Sequence, residues 1–207
     1  MLRLLQLADS ALPSGSYAFS DGLETDTQLG RVFDASSLRT WLEVQLQHGW
    51  GRADAVGCAL AWHPEKRQHV NDELSALKNI ETIRRSSLQI GATLLANASV
   101  IWGINLELPT PVHHAVAFAA LGEAFGCSQK QTVMAFISAY LIGKATAATR
   151  LLRIGGLKTQ SIVASLEPVV LQVLEYACKA KEIESYTPLL DHSAQAQASL
   201  ELRLFQS

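Results

Sequence analysis

The sequence predicts an all-α fold, a single-domain multi-helix bundle. Apolar residues recur at three- and four-residue steps over most of the 207 positions. No segment sustains the period-two alternation of a half-buried strand. Helix start and stop signals also fall between the periodic stretches, with no internal repeat, low-complexity tract or linker to divide the chain.

The elements follow in order. Gly22 precedes a place for a short helix, with Glu24 in its first turn. From Ser36 to His63, the residues Leu38, Trp41, Leu42, Leu46, Ala53, Val56, Leu60 and Ala61 keep helical spacing. Asp34 or Ser36 can cap this start, His63-Pro64 ends it, and Gly49 and Gly51 bend or split it. A polar helix over Val70 to Lys78 and a longer one over Glu81 to Ile101 come next, then a loop from Asn105 to Pro111. A helix from His114 to Phe125 is broken at Gly126. Ser128-Gln129-Lys130-Gln131 has the capping-box pattern, in which the hydroxyl and the Gln side chain satisfy each other's main-chain donors. The helix it opens carries Val133, Phe136, Ile137, Tyr140, Leu141, Ala148, Leu151 and Leu152 on one face and stops at Gly155-Gly156. A last long helix spans Thr159 to Lys181, with Pro168 as a kink or a new start. Residues 182–207 have few large apolar residues until Leu200, Leu202, Leu204 and Phe205. They read as a tail that either tucks onto its own domain or is ordered by a partner.

Apolar residues make up 48% of the chain and charged residues only 17%, against roughly 25% in average soluble domains. Helices buried on more than one face, or other subunits covering part of the surface, can account for this; the second is the expectation. A net charge of −2 gives no electrostatic reason for nucleic-acid or anionic-membrane binding. Cys58, Cys127 and Cys178 form neither a disulfide framework nor a zinc motif and suit a reducing cytosol, and the N-terminus lacks secretory-signal features.

Catalytic patterns are missing from the sequence. Gly143-Lys144 lacks the remaining residues of a phosphate-binding loop, and there is no Gly-x-Ser-x-Gly or His-Glu-x-x-His. His113-His114 tempts a metal reading, with Asp191 as a carboxylate for a small metal-dependent hydrolase. Adjacent helical residues point about 100° apart, however, which favours a helix-start role. Arg84 and Arg85 can pair with Glu81 on their own helix or hold a segment of another chain.

Three motifs remain. Leu12-Pro13-Ser14-Gly15-Ser16-Tyr17-Ala18-Phe19-Ser20-Asp21-Gly22-Leu23-Glu24 combines a proline, two glycines able to take positive φ, and two large rings. Such a loop either plugs its own core or presents a rigid platform. Arg84-Arg85-Ser86-Ser87-Leu88-Gln89-Ile90-Gly91 lies mid-chain, and Leu202-Arg203-Leu204-Phe205-Gln206-Ser207 closes it. In this order they resemble the urease accessory protein UreF family. Gln197-Ala198 stands where that pattern leads one to expect His-Glu.

The resemblance implies an all-helical, non-enzymatic, cytoplasmic and homodimeric protein of urease maturation, with residues 182–207 a tail ordered by a partner. It would bridge the scaffold partner UreD (also called UreH) and the GTPase UreG, modulate GTP hydrolysis, and help nickel reach apo-urease. No cofactor of its own is implied: nickel passes through the complex and GTP belongs to the partner. Partner-binding positions carried over are Pro13, Gly15, Tyr17, Phe19, Ser20, Gly22, Leu23 and Glu24; Arg84, Ser87 and Gly91; and Arg203, Leu204, Phe205 and Ser207. The competing reading without a named pathway is a helical adaptor of an unrelated complex.

Overall fold

A computed structural model of the chain describes residues 1–197, 200, 204 and 205, with the Tyr17 side chain excepted. The described residues form eleven α-helices, two short 3₁₀ turns and no strand. The first helix, α1 (Leu2–Ala8), was not foreseen: Leu4 and Leu7 face inward, and Leu2 and Leu5 face out. Helix α2 (Leu23–Gln28) follows the loop.

The long segment after Asp34 is two helices, α3 (Ala35–His48) and α4 (Trp50–Ala61), split at Gly49. The capping carboxylate is Asp34, which accepts the Ser37 N–H at 2.8 Å. Close backbone approach explains the second glycine: a Cβ on residue 51 would lie 1.9 Å from the Leu46 carbonyl oxygen. Then come α5 (Arg67–Leu77), α6 (Glu81–Trp102) and α7 (His114–Ala124).

Helix α8 (Gln129–Leu151) opens with the anticipated capping box. Gln131 N donates to Ser128 Oγ, and Ser128 N donates to Gln131 Oε1. Gly155 is less a stop for α8 than the N-cap of α9 (Gly156–Ser165), which begins three residues before the expected start at Thr159. Pro168 marks a new start: α10 (Glu167–Lys179) leaves α9 at a 49° bend. In the C-terminal segment Pro188 does not merely break helix. It sits in the first turn of α11 (Pro188–Ala196), where its missing N–H costs no hydrogen bond.

Helices α4 and α7 form the centre. Every residue of α7 from Ala115 to Gly122 is buried, as is α4 from Ala53 to Ala61. A helix that is apolar all round must be wrapped by others, here α3, α5, α6, α8 and α10. Two such helices give a chain of low charge content a core for many of its apolar residues, while Leu2, Val100, Leu157 and Leu189 stay exposed. Helix α8 has the length and apolar content of a membrane span, but half of that window is buried in the protein; α9 and α10 meet the same test only jointly, across their bend.

Candidate functional site

The loop between α1 and α2 is held from both sides. Gly15 (φ 80°) and Gly22 (φ 87°) both use the left-handed region, and Asp21 joins them at φ 53°. Gly22 is also a contact point, because a Cβ there would come within 3.0 Å of the Ala194 nitrogen of α11. The carbonyl of the otherwise exposed Pro13 accepts a hydrogen bond from Asn97 Nδ2 of α6. Phe19 is 5% exposed, and Ser20 and Leu23 are fully buried, so Phe19 acts as a plug in its own core. Underneath, Lys144 of α8 donates to the Phe19 carbonyl at 2.9 Å and pairs with the Asp21 carboxylate at 2.6 Å.

Helix α2 turns three consecutive polar residues into a platform. Glu24 is 1% exposed, yet its carboxylate accepts the Leu204 N–H at 2.6 Å, the Phe205 N–H at 3.2 Å and Gln197 Nε2 at 2.6 Å. Thr25 Oγ1 donates to the other end of the Gln197 amide at 2.8 Å. Asp26 accepts from Trp41 Nε1 at 2.8 Å and from Ser193 Oγ at 2.6 Å, and pairs with Arg31 at 3.1 Å. Residues far apart in sequence thus close one polar cluster. Phe205 is buried against its own chain, with the Arg150 guanidinium 5.9 Å from its ring centre, while Leu204 remains 70% exposed.

The middle motif does something different. Ser87 faces inward, and its hydroxyl meets His113 Nδ1 at 3.0 Å and receives the His114 N–H at 3.3 Å. Ser75 Oγ meets His113 Nε2 at 2.9 Å, and Asn71 clamps both the His113 N–H and the Pro111 carbonyl. Gly91 lets this turn in: a Cβ on it would lie 2.3 Å from the Val112 carbonyl oxygen. Ser87 and Gly91 therefore fasten α6 to the start of α7, whereas Arg84 and Arg85 make no ion pair with any described residue.

The histidines are not arranged for metal chemistry. His113 precedes α7 as its N-cap residue, the helix-start role its spacing suggested, and both its ring nitrogens face serine hydroxyls. His114 packs its ring on Phe118 and Phe136. Desolvation, with the Lys78 charge a smaller cause, lowers His113 from 6.5 to about 4, and desolvation likewise lowers His114 from 6.5 to about 4. No group of three or more His, Cys, Asp and Glu able to hold a metal occurs among the described residues.

A cavity of about 310 Å³ lies between the loop, α4, α6, α8 and α11. Its wall contains the Lys144–Asp21 pair and the Lys78–Asp54 pair, the latter at 2.7 Å, with His114 and Tyr140 between. Burial pushes the Tyr140 phenol well up, and its Oη has no hydrogen-bond partner among the described residues.

Hydrogen bonds therefore join the first and third motifs, while the second meets the first across the cavity, whose wall Ser86 and Ser87 share with Ser14 and Ser16. Arg203 and Ser207 lie outside the described residues, as does the Tyr17 side chain. Lys144, Gln197 and Arg150 are supporting residues whose role sequence reasoning missed: Lys144 was weighed only for a phosphate loop, and Gln197 only as a departure from His-Glu. Lys144 had left a signal: it falls three residues after Leu141 and four before Ala148, on the inward stripe of α8, where a lysine needs a partner.

The described residues thus form an all-helical fold in which the loop before α2 and the C-terminal segment share one buried polar platform. Comparison with known proteins supplies the family. The model of the UreF family matches residues 32–167. The urease accessory protein UreF of Trichormus variabilis is 30% identical over 179 residues, covering 82% of this chain and 78% of that protein. That of Brucella ovis is 31% identical over 214 aligned positions, covering 100% of this chain and 94% of the relative. That of a Methylobacterium species is 32% identical over 181 residues, covering 82% and 72%. The chain belongs to the UreF family of urease accessory proteins, and it is not an enzyme.

Proposed function

We propose that this chain is the adaptor of a urease-activating complex. It bridges the scaffold partner UreD (also called UreH) and the GTPase UreG while nickel, the cargo, is delivered to apo-urease, and it modulates GTP hydrolysis by that GTPase. It works as a cytoplasmic homodimer without a cofactor of its own, with GTP bound by the partner, and it uses neither nucleic acid nor membrane. Family membership supports the pathway. The observation that carries the adaptor reading is the contiguity of the two chain ends: Glu24 of the loop motif bonds Leu204 and Phe205 of the terminal motif. In this reading the tail docks the scaffold partner, and the loop with Glu24 lies by the GTPase face or the nickel route. Arg84 and Arg85 supply donors for a partner's carboxylates.

The test is urease activity, with nickel measured on the purified urease, in cells carrying the urease operon with and without this gene. Activity and bound nickel should fall together and return on complementation; unchanged values would overturn the maturation role. Complementation with a chain lacking residues 203–207 should fail, and that chain should lose the scaffold complex while keeping its helical circular dichroism. Retention of the complex would overturn the tail assignment.

A further inference from the structure

We propose that the cavity between the loop and helices α4, α6 and α8 is a binding site for a small neutral carboxamide on an apolar body. Gln45 and His114 supply donors, Asp54 an acceptor, and the stacked rings of Trp50 and Tyr140 an aromatic wall. The site stands independently of the adaptor reading above.

Hydrogen-bonding capacity left over inside the fold marks the site. Gln45 is 7% exposed; its Oε1 accepts the Trp50 N–H at the start of α4, and its Nε2 has no acceptor among the described residues. Asp54 is 3% exposed, and only its Oδ2 is engaged, by Lys78. Neither ring nitrogen of His114 has a hydrogen-bond partner among the described residues, although the ring packs on Phe118 and Phe136. Of the partnerless side-chain atoms in the described interior, only Tyr140 Oη is sealed from water. The free atoms of Gln45, Asp54 and His114 therefore border open space, and all three residues line the cavity. Unmet donors and acceptors inside a fold are matched by water or by a ligand.

The charges of the wall decide the kind of ligand. Lys144 is paired with Asp21 and Lys78 with Asp54, so the inner charges cancel. Asp9, Asp191 and Arg150, the other charged residues of the wall, are exposed to water at its rim. An ionic ligand would leave water for a place with no spare counter-charge, a cost that a neutral one avoids. Desolvation, which lowers His114 to about 4, keeps that ring neutral near pH 7, with one donor and one acceptor. A carboxamide is neutral and carries two N–H donors and a carbonyl acceptor in one plane, the complement of Asp54 Oδ1 and Gln45 Nε2. Trp50 and Tyr140 stack at 3.9 Å with 12° between their planes, and Phe118, Ile90 and Leu94 close the apolar back. At about 310 Å³ the cavity has room for about ten waters at ~30 Å³ each, enough for a benzene-sized body bearing one such group.

The experiment is a titration of the isolated full-length chain with benzamide, followed by the main-chain amide NMR shifts of Gln45, Asp54 and His114. Benzamide should bind with a dissociation constant on the order of 1 mM, the range for so small a ligand. Two isosteres separate the charge states: benzoate and benzamidine should each bind about fivefold more weakly or worse. Gln45→Glu keeps the oxygen that accepts from Trp50 but loses the two N–H donors. It should weaken benzamide about fivefold, the loss of one hydrogen bond. His114→Phe keeps the ring packing without its nitrogens, should weaken benzamide similarly, and provides the test if Gln45→Glu fails to fold. No shift at these amides at about 10 mM benzamide would overturn the proposal. So would tighter binding of benzoate or benzamidine, or unchanged benzamide affinity in either folded variant. Urease maturation is not read in this assay, so the site and the adaptor reading fail separately.

Discussion

The knot around His113 and the platform around Glu24 both bury polar side chains, but they are closed by different parts of the chain. Around His113 every partner comes from residues 71–114, a continuous middle stretch of α5, α6 and the start of α7. Around Glu24 the partners lie more than 170 residues away, and the last of them are at the end of the chain. The first arrangement is sealed within the helices that form the core. The second sits where a chain end meets a loop, and leaves Leu204 and the edge of Arg150 at the surface. Motif membership alone thus does not distinguish a fastener between neighbouring helices from a contact between distant segments.

The contrast can be broken most sharply at Gly91. Gly91→Ala drives a methyl against the Val112 carbonyl, where a Cβ would be only 2.3 Å away. The expected loss is about 3 kcal/mol, the upper end for overpacking, because backbone must yield rather than a side chain. Thermal or denaturant unfolding measures it, and a change under about 0.5 kcal/mol, the range of ordinary surface substitutions, would show that the middle motif is not a fastener.

Next in size is Lys144→Met, which removes the cation from Asp21 and the donor from the Phe19 carbonyl. Since Asp21 is partly solvated, the loss should be about 2 kcal/mol, below the 3 to 5 of a fully buried broken pair. The sharper signature is local: exchange should accelerate in the loop and not around His113. Equal acceleration in both regions would mean that the two are one cooperative unit.

The smallest effect near neutrality is a pH dependence carried by His113 in the knot and His114 beside it. His113 and His114 titrate near 4 in the folded chain against 6.5 in the reference state, so the unfolded chain binds more protons between those values. Stability should therefore be flat above about pH 6.5 and decline as pH falls towards 4. His114→Phe, which keeps a ring against Phe118 and Phe136, should flatten part of that decline in melting temperature. An unchanged slope would remove His114 from the account.

Legibility followed the range of the interactions. The capping box at Ser128, the caps and breaks at Asp34 and Pro168, and the positive φ of Gly15 and Gly22 were readable because each is satisfied within a few residues. The helix-start role of His113 was readable for the same reason. Helix α11 was not: Tyr186-Thr187-Pro188 looks like a breaker locally, and its helix persists because Ser193 and Ala194 pack on Asp26 and Gly22. Nor did the sequence distinguish Ser87, which turns inward to a histidine, from Arg84, one helical turn earlier.

An all-α chain and, through three motifs, a resemblance to the UreF family could be read from residue order alone. Period, capping and turn chemistry act over short distances, and motif order survives without coordinates. That the first and last motifs meet while the middle one fastens α6 to the start of α7 became visible with the packing of the helices. The reason is burial: a carboxylate such as Glu24 must find donors wherever folding brings them, and spacing along the chain carries no record of where that will be.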